Sequence, residues 1–344
     1  MTDFTVSIRT YNGEQRLPAV LDQLRSQANL QGIDWEIVIV DNNSSDRTAE
    51  VVQQYQANWQ VDGKEICPLR YCFEGRQGAA IARRRLIEEA QGTFIGFLDD
   101  DNVPDLHWVA TAYAFGLAHP QAGAFGGQIH GDFEVPPPRD FGKIAPYLAV
   151  IERKQTFCYN RDVDGTPARK VLPPGAGLVV RRQVWLDCVP EEQKLQGPIG
   201  NSLTAKGEDM EALLYISQAG WEIWNHAELH MMHQMPKWRF EREYLLRLCQ
   251  GVGLGKYPLR MLGYMSWQKP FVVWFYWLND GQKLIRLYLK TYAQLKTDVV
   301  AACELQVLKY SVVSPFYHWR GMLLEKVAKG GRGRSQQPQL KQTI

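Results

Sequence analysis

Apolar and polar residues fall in short alternating blocks through the first half of the chain. Phe4–Thr10 is rich in β-formers and is followed by a helical pattern that puts Leu17, Leu21 and Leu24 on one face. Trp35–Val40 is almost continuously apolar, as expected of a strand covered on both sides. It ends in a turn cluster, Asp41 through Asp46, that can also cap a helix beginning near Arg47. Leu69–Phe73 predicts a third strand, Gly78–Ala90 a helix, Thr93–Leu98 a fourth strand, Asp105–Leu117 a helix and Ala124–Ile129 a further strand. Strand–helix alternation with crossovers of this length implies an α/β fold with a mostly parallel sheet and helices on both faces.

The rhythm breaks between residues 131 and 175, where Pro136-Pro137-Pro138 and Pro173-Pro174 bracket a segment too irregular for a core sheet. Excursions of this length are commonly functional or disordered. Gly175–Arg182 reads as a glycine loop and a strand, Glu208–Ser217 as a helix and Trp221–Trp224 as a short strand. From Arg239 the pattern is helical and amphipathic. Gly251-Val252-Gly253-Leu254-Gly255-Lys256 invites a phosphate-loop reading, but it follows a helical stretch and Tyr257 stands where Ser or Thr is needed. A helix–helix turn is the better expectation. The chain thus divides into an α/β unit over 1–236, a helical region over 237–329 and a flexible tail over 330–344.

Charge sharpens this division. Residues 1–236 carry a net −10, whereas 237–344 carry a net +12 and 17 of the 39 aromatic residues. The total of +2 offers no sign of a dedicated nucleic-acid binder. The six cysteines form no CxxC pair, which argues against a zinc ribbon or disulfide scaffold. The opening MTDFTVSIRTYN lacks a basic-then-apolar leader, so a cytoplasmic setting is expected.

Candidate chemistry lies where strands end. In open α/β sheets ligands bind beyond the carboxyl ends of the strands. Tyr11-Asn12, Asp41 through Asp46, and Asp99-Asp100-Asp101 all fall at such ends. Converging carboxylates repel one another and need a compensating charge, for which Mg2+ or Mn2+ held by carboxylates and substrate phosphates is natural. Any one of these clusters is equally compatible with ordinary turn chemistry.

VSIRTYN, WEIVIVDNNSSDRT, GAAIARRRLIEEAQGTFIGFLDDDNVP and GEDMEALLYISQAGWEI, in this order over about residues 3–235, resemble the family 2 glycosyltransferases of the GT-A fold. The layout is most similar to bacterial exopolysaccharide enzymes of the hormogonium-polysaccharide type. The resemblance implies a three-layer α/β/α sandwich and transfer of a sugar, with inversion, from a nucleotide-sugar donor to an acceptor hydroxyl. It implies that Thr10, Tyr11 and Asn12 flank the donor nucleotide and that Asp41 contacts its base, usually uracil. It puts Gly78 and Arg83 near the nucleotide, Asp99 at the ribose or a divalent metal, Asp101 on the metal, and Asp100 in the variable place between them. Glu208-Asp209 matches the acidic pair of the family, with Asp209 as the candidate base. Read without the family, the same pair is an N-cap. Gly175 and Gly177 correspond to a glycine stretch bordering the acceptor site, or else make a tight turn.

His233 is a candidate further metal ligand, with His230 beside it, and Arg239 and Arg242 are candidate diphosphate contacts or plain surface charge. In the tail, Phe271–Leu278 is the most apolar run and is too short to span a bilayer. Its mixture with Lys283, Arg286, Lys290 and Lys296 has an interfacial composition. Residues 257–329 are expected either to rest on an anionic membrane, peripheral to the inner face of the plasma membrane, or to cover the sheet or form a dimer face. The acceptor would be a glycan or a lipid-linked sugar in exopolysaccharide or cell-surface glycan synthesis. Two other classes share these features: a sugar-phosphate nucleotidyltransferase, for which Tyr11-Asn12-Gly13-Glu14 is a poor first loop, and a non-catalytic nucleotide-sugar-binding or membrane scaffold.

Overall fold

The computed structural model describes residues 2–61, 63–162, 172–195, 197 and 205–332, with side chains to 322. Part of the 131–175 excursion, residues 163–171, and the tail beyond 332 lie outside the described residues.

The first half is a right-handed alternation: β1 (Phe4–Thr10), α1 (Leu17–Arg25), β2 (Trp35–Asp41), α2 (Thr48–Ala57), a small hairpin of β3 (Gln60–Val61) and β4 (Lys64–Glu65), β5 (Leu69–Phe73), α3 (Ala79–Glu89) and β6 (Phe94–Asp99). A three-residue strand β7 (Asn102–Pro104) leads into α4 (Trp108–Ala118) and the long β8 (Ala122–Phe133). Then follow β9 (Phe157–Cys158), β10 (Val179–Arg181), α5 (Arg182–Cys188), α6 (Glu208–Gln218) and β11 (Glu222–Met235). The sheet order is β5-β2-β1-β6-β10-β8-β11-β7, with β9 also on β11. Its long ladders, β5-β2-β1-β6 and β8-β11, are parallel; the short ones through β10, β7 and β9 are antiparallel.

Helices cover both faces, which explains why β2 is apolar on both sides between Glu36 and Asp41. Its Trp35, Ile37 and Ile39 pack with α1 and α4 residues such as Leu21 and Trp108, whereas Val38 and Val40 pack with Leu86 of α3 and Leu213 of α6. Period-2 alternation delivers each set to its own layer. Gly96 in β6 leaves room for Trp108, since a Cβ there would stand 2.4 Å from the indole. The buried indole meets Phe4 edge-on at 5.9 Å, and burying a ring of this size contributes on the order of 3 kcal/mol.

Three expectations need correcting. The short strand at Trp221–Trp224 is the start of β11, 14 residues long, which carries His230 and His233 within it. Its sequence has few β-branched residues, so local propensity is weak; pairing to β8, β7 and β9 holds it. The glycine run does not turn between helices. It lies inside α7 (Arg242–Leu262), which is followed by α8 (Lys269–Thr291) and α9 (Val299–Arg332). The glycines serve close approach: a Cβ on Gly253 would meet Tyr310 Cβ of α9 at 2.7 Å, and one on Gly255 would meet the Lys206 carbonyl oxygen at 1.9 Å. Finally, residues 330–332 continue α9.

α7 and α9 form a third core with Ile144, Leu148 and Met235. They thereby close one side of the space above the strand ends.

Candidate active site

A cavity of about 660 Å3 opens beyond the carboxyl ends of β1 and β6. Thr10, Tyr11, Asp99, Asp100, Asp101, Gly175, Glu208, Asp209 and His233 all line it. Asn12, Asp41, Gly78, Arg83 and Gly177 do not reach its wall. Asp41 is buried, accepting bonds from Tyr71 Oη at 2.7 Å and Ser44 N–H at 2.9 Å. Gly78 donates its N–H to Asn42 Oδ1 at 2.8 Å. Asn12 accepts from the Ser45 N–H at 2.8 Å, joining the first two strand-end loops. Gly177 takes φ +64, where a side chain would also strike the Met231 sulfur at 2.6 Å.

Strand register builds the acidic part. Asp99 is the last residue of β6, and its N–H is bonded by Asn102 Oδ1 at 3.0 Å, which folds the chain directly into β7. β7 pairs with β11 so that Asn102 lies opposite His233, and the Gln234 N–H reaches the Asp101 carbonyl at 3.0 Å. This register is why His233 Nε2 comes to 3.5 Å from Asp101 Oδ1.

The three aspartates are each compensated by an arginine. Arg9 pairs with Asp99 and also approaches Glu208 at 3.5 Å. Arg16 grips Asp100 with two bonds of 2.9 Å, and Thr10 Oγ1 donates to the same carboxylate at 2.7 Å. Arg239 pairs with Asp101 through Nη2 and donates from Nη1 to His233 Nε2 at 2.8 Å. Burial alone would raise the Asp101 pKa, but His233 and the Arg239 charge outweigh it and hold the carboxyl at about 2. The repulsion inferred from sequence is therefore real, and arginines relieve it here. Arg9 and Arg16 were not foreseen; the visible signal was a cation inside the apolar run of β1 and another beside the start of α1. Arg242 turns away, donating to the Leu295 carbonyl at 2.6 Å.

The second acidic group arrives at a helix start. Gly207 at φ +124 is the N-cap of α6, so Glu208 and Asp209 occupy its first turn and do not cap it. Lys206, just before, donates its N–H to the Gly251 carbonyl at 3.1 Å, and the bare Gly255 admits its carbonyl. The glycines of α7 thus seat the start of α6. Asp209 Oδ1 lies 2.9 Å from Arg83 Nη2. Arg83 is fully buried with its guanidinium 4.4 Å from the Phe97 ring centre. Burial raises the Asp209 pKa; Arg83 opposes this and the Glu208 charge adds to it, leaving the acid above its ordinary value.

Gly175 fits around this carboxylate, since a Cβ there would fall 1.8 Å from Asp209 Oδ2. Gly175→Ala should therefore displace the Asp209 side chain and leave the fold standing, because the clash meets the movable end of a side chain. The expected result is a loss of turnover of about 10²-fold or more with little change in thermal unfolding temperature, read by activity assay and calorimetry on the same sample.

The remaining wall is apolar. Leu148 and Ile151 come from the excursion, Leu172 and Pro174 precede Gly175, and Leu248 and Leu259 come from α7. Lys206 and Lys256 also line it, each with its pKa lowered by burial.

Residues 5–166 match the family model described as glycosyl transferase family 2. A teichuronic acid biosynthesis protein of Bacillus subtilis, named as the glycosyltransferase TuaG, is 37% identical over 89 residues, 26% of this chain and 30% of its own length. The Escherichia coli UDP-Glc:alpha-D-GlcNAc-diphosphoundecaprenol beta-1,3-glucosyltransferase WfgD is 31% identical over 113 residues, 32% of this chain and 38% of its own. The chain therefore spans only about a third of the length of these curated relatives. Among solved structures, the mannosyltransferase PcManGT of Pyrobaculum calidifontis, in complex with GDP-Man and Mn2+, superposes with a TM-score of 0.55 at 18% identity, over 92% of this chain and 87% of that one. The architecture is the GT-A type, an α/β/α sandwich followed by helices. The stretch that holds β1, β2 and the three strand-end aspartates is thus the part of this chain that matches glycosyl transferase family 2.

Proposed function

We propose that the chain is an inverting glycosyltransferase that moves a sugar from a nucleotide-sugar donor, UDP-linked by preference, to a saccharide or lipid-linked saccharide acceptor in exopolysaccharide or cell-surface glycan synthesis. One observation carries the reading: the Asp209 carboxylate, of raised basicity, opens into the same cavity as the strand-end aspartates. Asp209 lies beyond the matched residues 5–166, so its role rests on geometry.

In the proposed reaction the acceptor hydroxyl attacks the anomeric carbon, its proton passes to Asp209, and the bond to the nucleotide diphosphate breaks on the opposite face. Arg83 orients the base carboxylate from behind, and Glu208 stays engaged with Arg9 at the side. Thr10 and Tyr11 border the donor nucleotide. Arg239, reaching in from the segment after β11, offers positive charge where the diphosphate departs.

The donor set suits a divalent ion, Mg2+ or Mn2+. Asp101 and His233 converge to 3.5 Å, and such ions take one or two carboxylates and complete their shell with phosphate and water. Among the described residues no cluster of three potential ligand side chains exists, so Asp99, held by Arg9, is left to the ribose side. The ion, when bound, would neutralise charge on the leaving diphosphate. Support from the relatives is the UDP-glucose donor and diphosphoundecaprenol acceptor in the name of WfgD.

A nucleotide-sugar panel tests this by thermal shift. A preferred donor with Mn2+ should raise the unfolding temperature, since a ligand of the folded form alone stabilises it. EDTA should abolish the shift, and Asp101→Asn should reduce donor hydrolysis by about 10²-fold or more. A donor-independent melting curve, or hydrolysis indifferent to both EDTA and Asp101→Asn, overturns the proposal.

A further inference from the structure

Outside the cavity, the most pronounced anomaly is on α8. Five of its side chains point into solvent although they are large and apolar: Phe271, Trp274, Phe275, Leu278 and Leu289, with Phe271 73% and Leu289 75% exposed. At about 100° per residue these positions fall within one stripe roughly a third of the helix circumference wide, and exposed Ile285 lies in it too. Val273, Asp280 and Thr291 are on the opposite side and are buried against the protein. The third sector, between the two, is basic and exposed: Lys283, Arg286 and Lys290. So α8 has a protein-facing side, a bare apolar side and a cationic shoulder.

The bare side continues onto α9. Trp274 meets Trp277 at 5.6 Å, Trp277 meets Phe316 of α9 at 6.3 Å, and Phe316 meets Trp319 at 5.6 Å. Phe316, Trp319 and Met322 are themselves exposed. A continuous apolar patch over two helices is more than scattered surface residues require.

Among the described residues, α9 alone is long and apolar enough to cross a bilayer, over Val299–Met322. Its packing speaks against that. Val300, Cys303 and Val307 are buried in the core shared with α7, Tyr310 abuts Gly253, and Ser311 bonds Asp280, which Arg260 also pairs. A helix packed on α7 from Val300 to Tyr310 and bonded to α8 at Ser311 is not free to enter the hydrocarbon. Among the described side chains of α9, the large exposed ones are Val313, Phe316, Tyr317, Trp319 and Met322.

We infer that α8 and the distal turns of α9 form an interfacial face on which the protein lies along an anionic lipid bilayer, without spanning it. Aromatic rings suit the boundary between acyl chains and headgroups. The basic shoulder lets Lys283, Arg286 and Lys290 reach lipid phosphates while their stems follow the apolar surface. A second protein copy would cover the apolar stripe equally well, but a self-complementary face would set these cationic shoulders near one another without an acidic row to meet them. On α8 itself the acidic residue, Asp280, is buried and spent on Arg260. The inference does not depend on the proposed transfer reaction.

Flotation of the full chain with vesicles of phosphatidylcholine alone, or with about a third phosphatidylglycerol, tests it. The chain should float with the anionic vesicles at least tenfold more than with the neutral ones. Phe275→Glu/Leu278→Glu should abolish flotation on both. Lys283→Glu/Arg286→Glu/Lys290→Glu should remove the anionic preference and its salt dependence. All three positions of the second set and both of the first are exposed, so both variants should keep the wild-type thermal unfolding temperature, which is read alongside. Equal flotation of wild type and variants, no flotation of wild type, or a wild-type dimer in solution that the Phe275→Glu/Leu278→Glu change dissociates would each overturn it.

Discussion

Asp209→Asn should lower kcat by about 10²–10⁴-fold, the usual contribution of a positioned general base. The substitution keeps the shape of the side chain, which matters because Gly175 leaves no slack beside Oδ2. It removes only the ability to accept a proton. Donor affinity, measured by isothermal titration, should stay within about twofold, since the base acts on the acceptor. The wild-type pH profile should carry the same signature. Asp209 is active when ionised, and burial next to Glu208 holds its pKa above the ordinary aspartate value. Turnover should therefore rise with pH through a limb displaced upward from that value, and the Asn variant should lack the limb. An Asn variant retaining more than about a tenth of wild-type kcat would remove Asp209 from the chemistry.

How much of this site could be read from the chain depends on whether a residue announces its partner. The strand-end aspartates did, because Asp99-Asp100-Asp101 interrupts an apolar run where an open sheet exposes its ligand edge. β2 did too, since a strand buried on two faces is apolar at nearly every position, and only Glu36 interrupts it before Asp41. The arginines did not. Arg9, Arg16 and Arg239 are 90, 84 and 138 residues from the aspartates they neutralise, and no local pattern encodes such pairings. β11 was hidden for a related reason: a segment with three histidines, three methionines and two glutamates is a strand through its neighbours more than through its own propensity. The glycines of α7 were visible but misread. Glycine signals a turn and close packing alike, and only the Lys206 backbone against Gly255 identifies which applies.

The largest expected effect on stability lies behind the base. Arg83→Met should cost about 3–5 kcal/mol at neutral pH, the usual result of removing one partner of a buried ion pair. Arg83 is 2% exposed, and only its Nη2 contacts Asp209; Nε and Nη1 have no hydrogen-bond partner among the described residues. A methionine fills much of the same space and keeps contact with Phe97, so most of the loss should come from Asp209. Without Arg83 that carboxylate remains buried beside Glu208, with Arg9 as its remaining nearby cation. Its pKa, already raised, should rise further. A raised carboxyl binds its proton more tightly when folded than when unfolded, so the penalty is present above the folded pKa and is relieved as pH falls through it. Urea unfolding at pH 8 and pH 5 should consequently show a larger deficit at pH 8, and the acidic limb of turnover should move upward. Adding Asp209→Asn should recover much of the lost stability, because the second change removes the charge the first left stranded. Strictly additive losses, or a deficit that does not change with pH, would mean that Arg83 supports the fold through packing on Phe97 and has no electrostatic hold on the base.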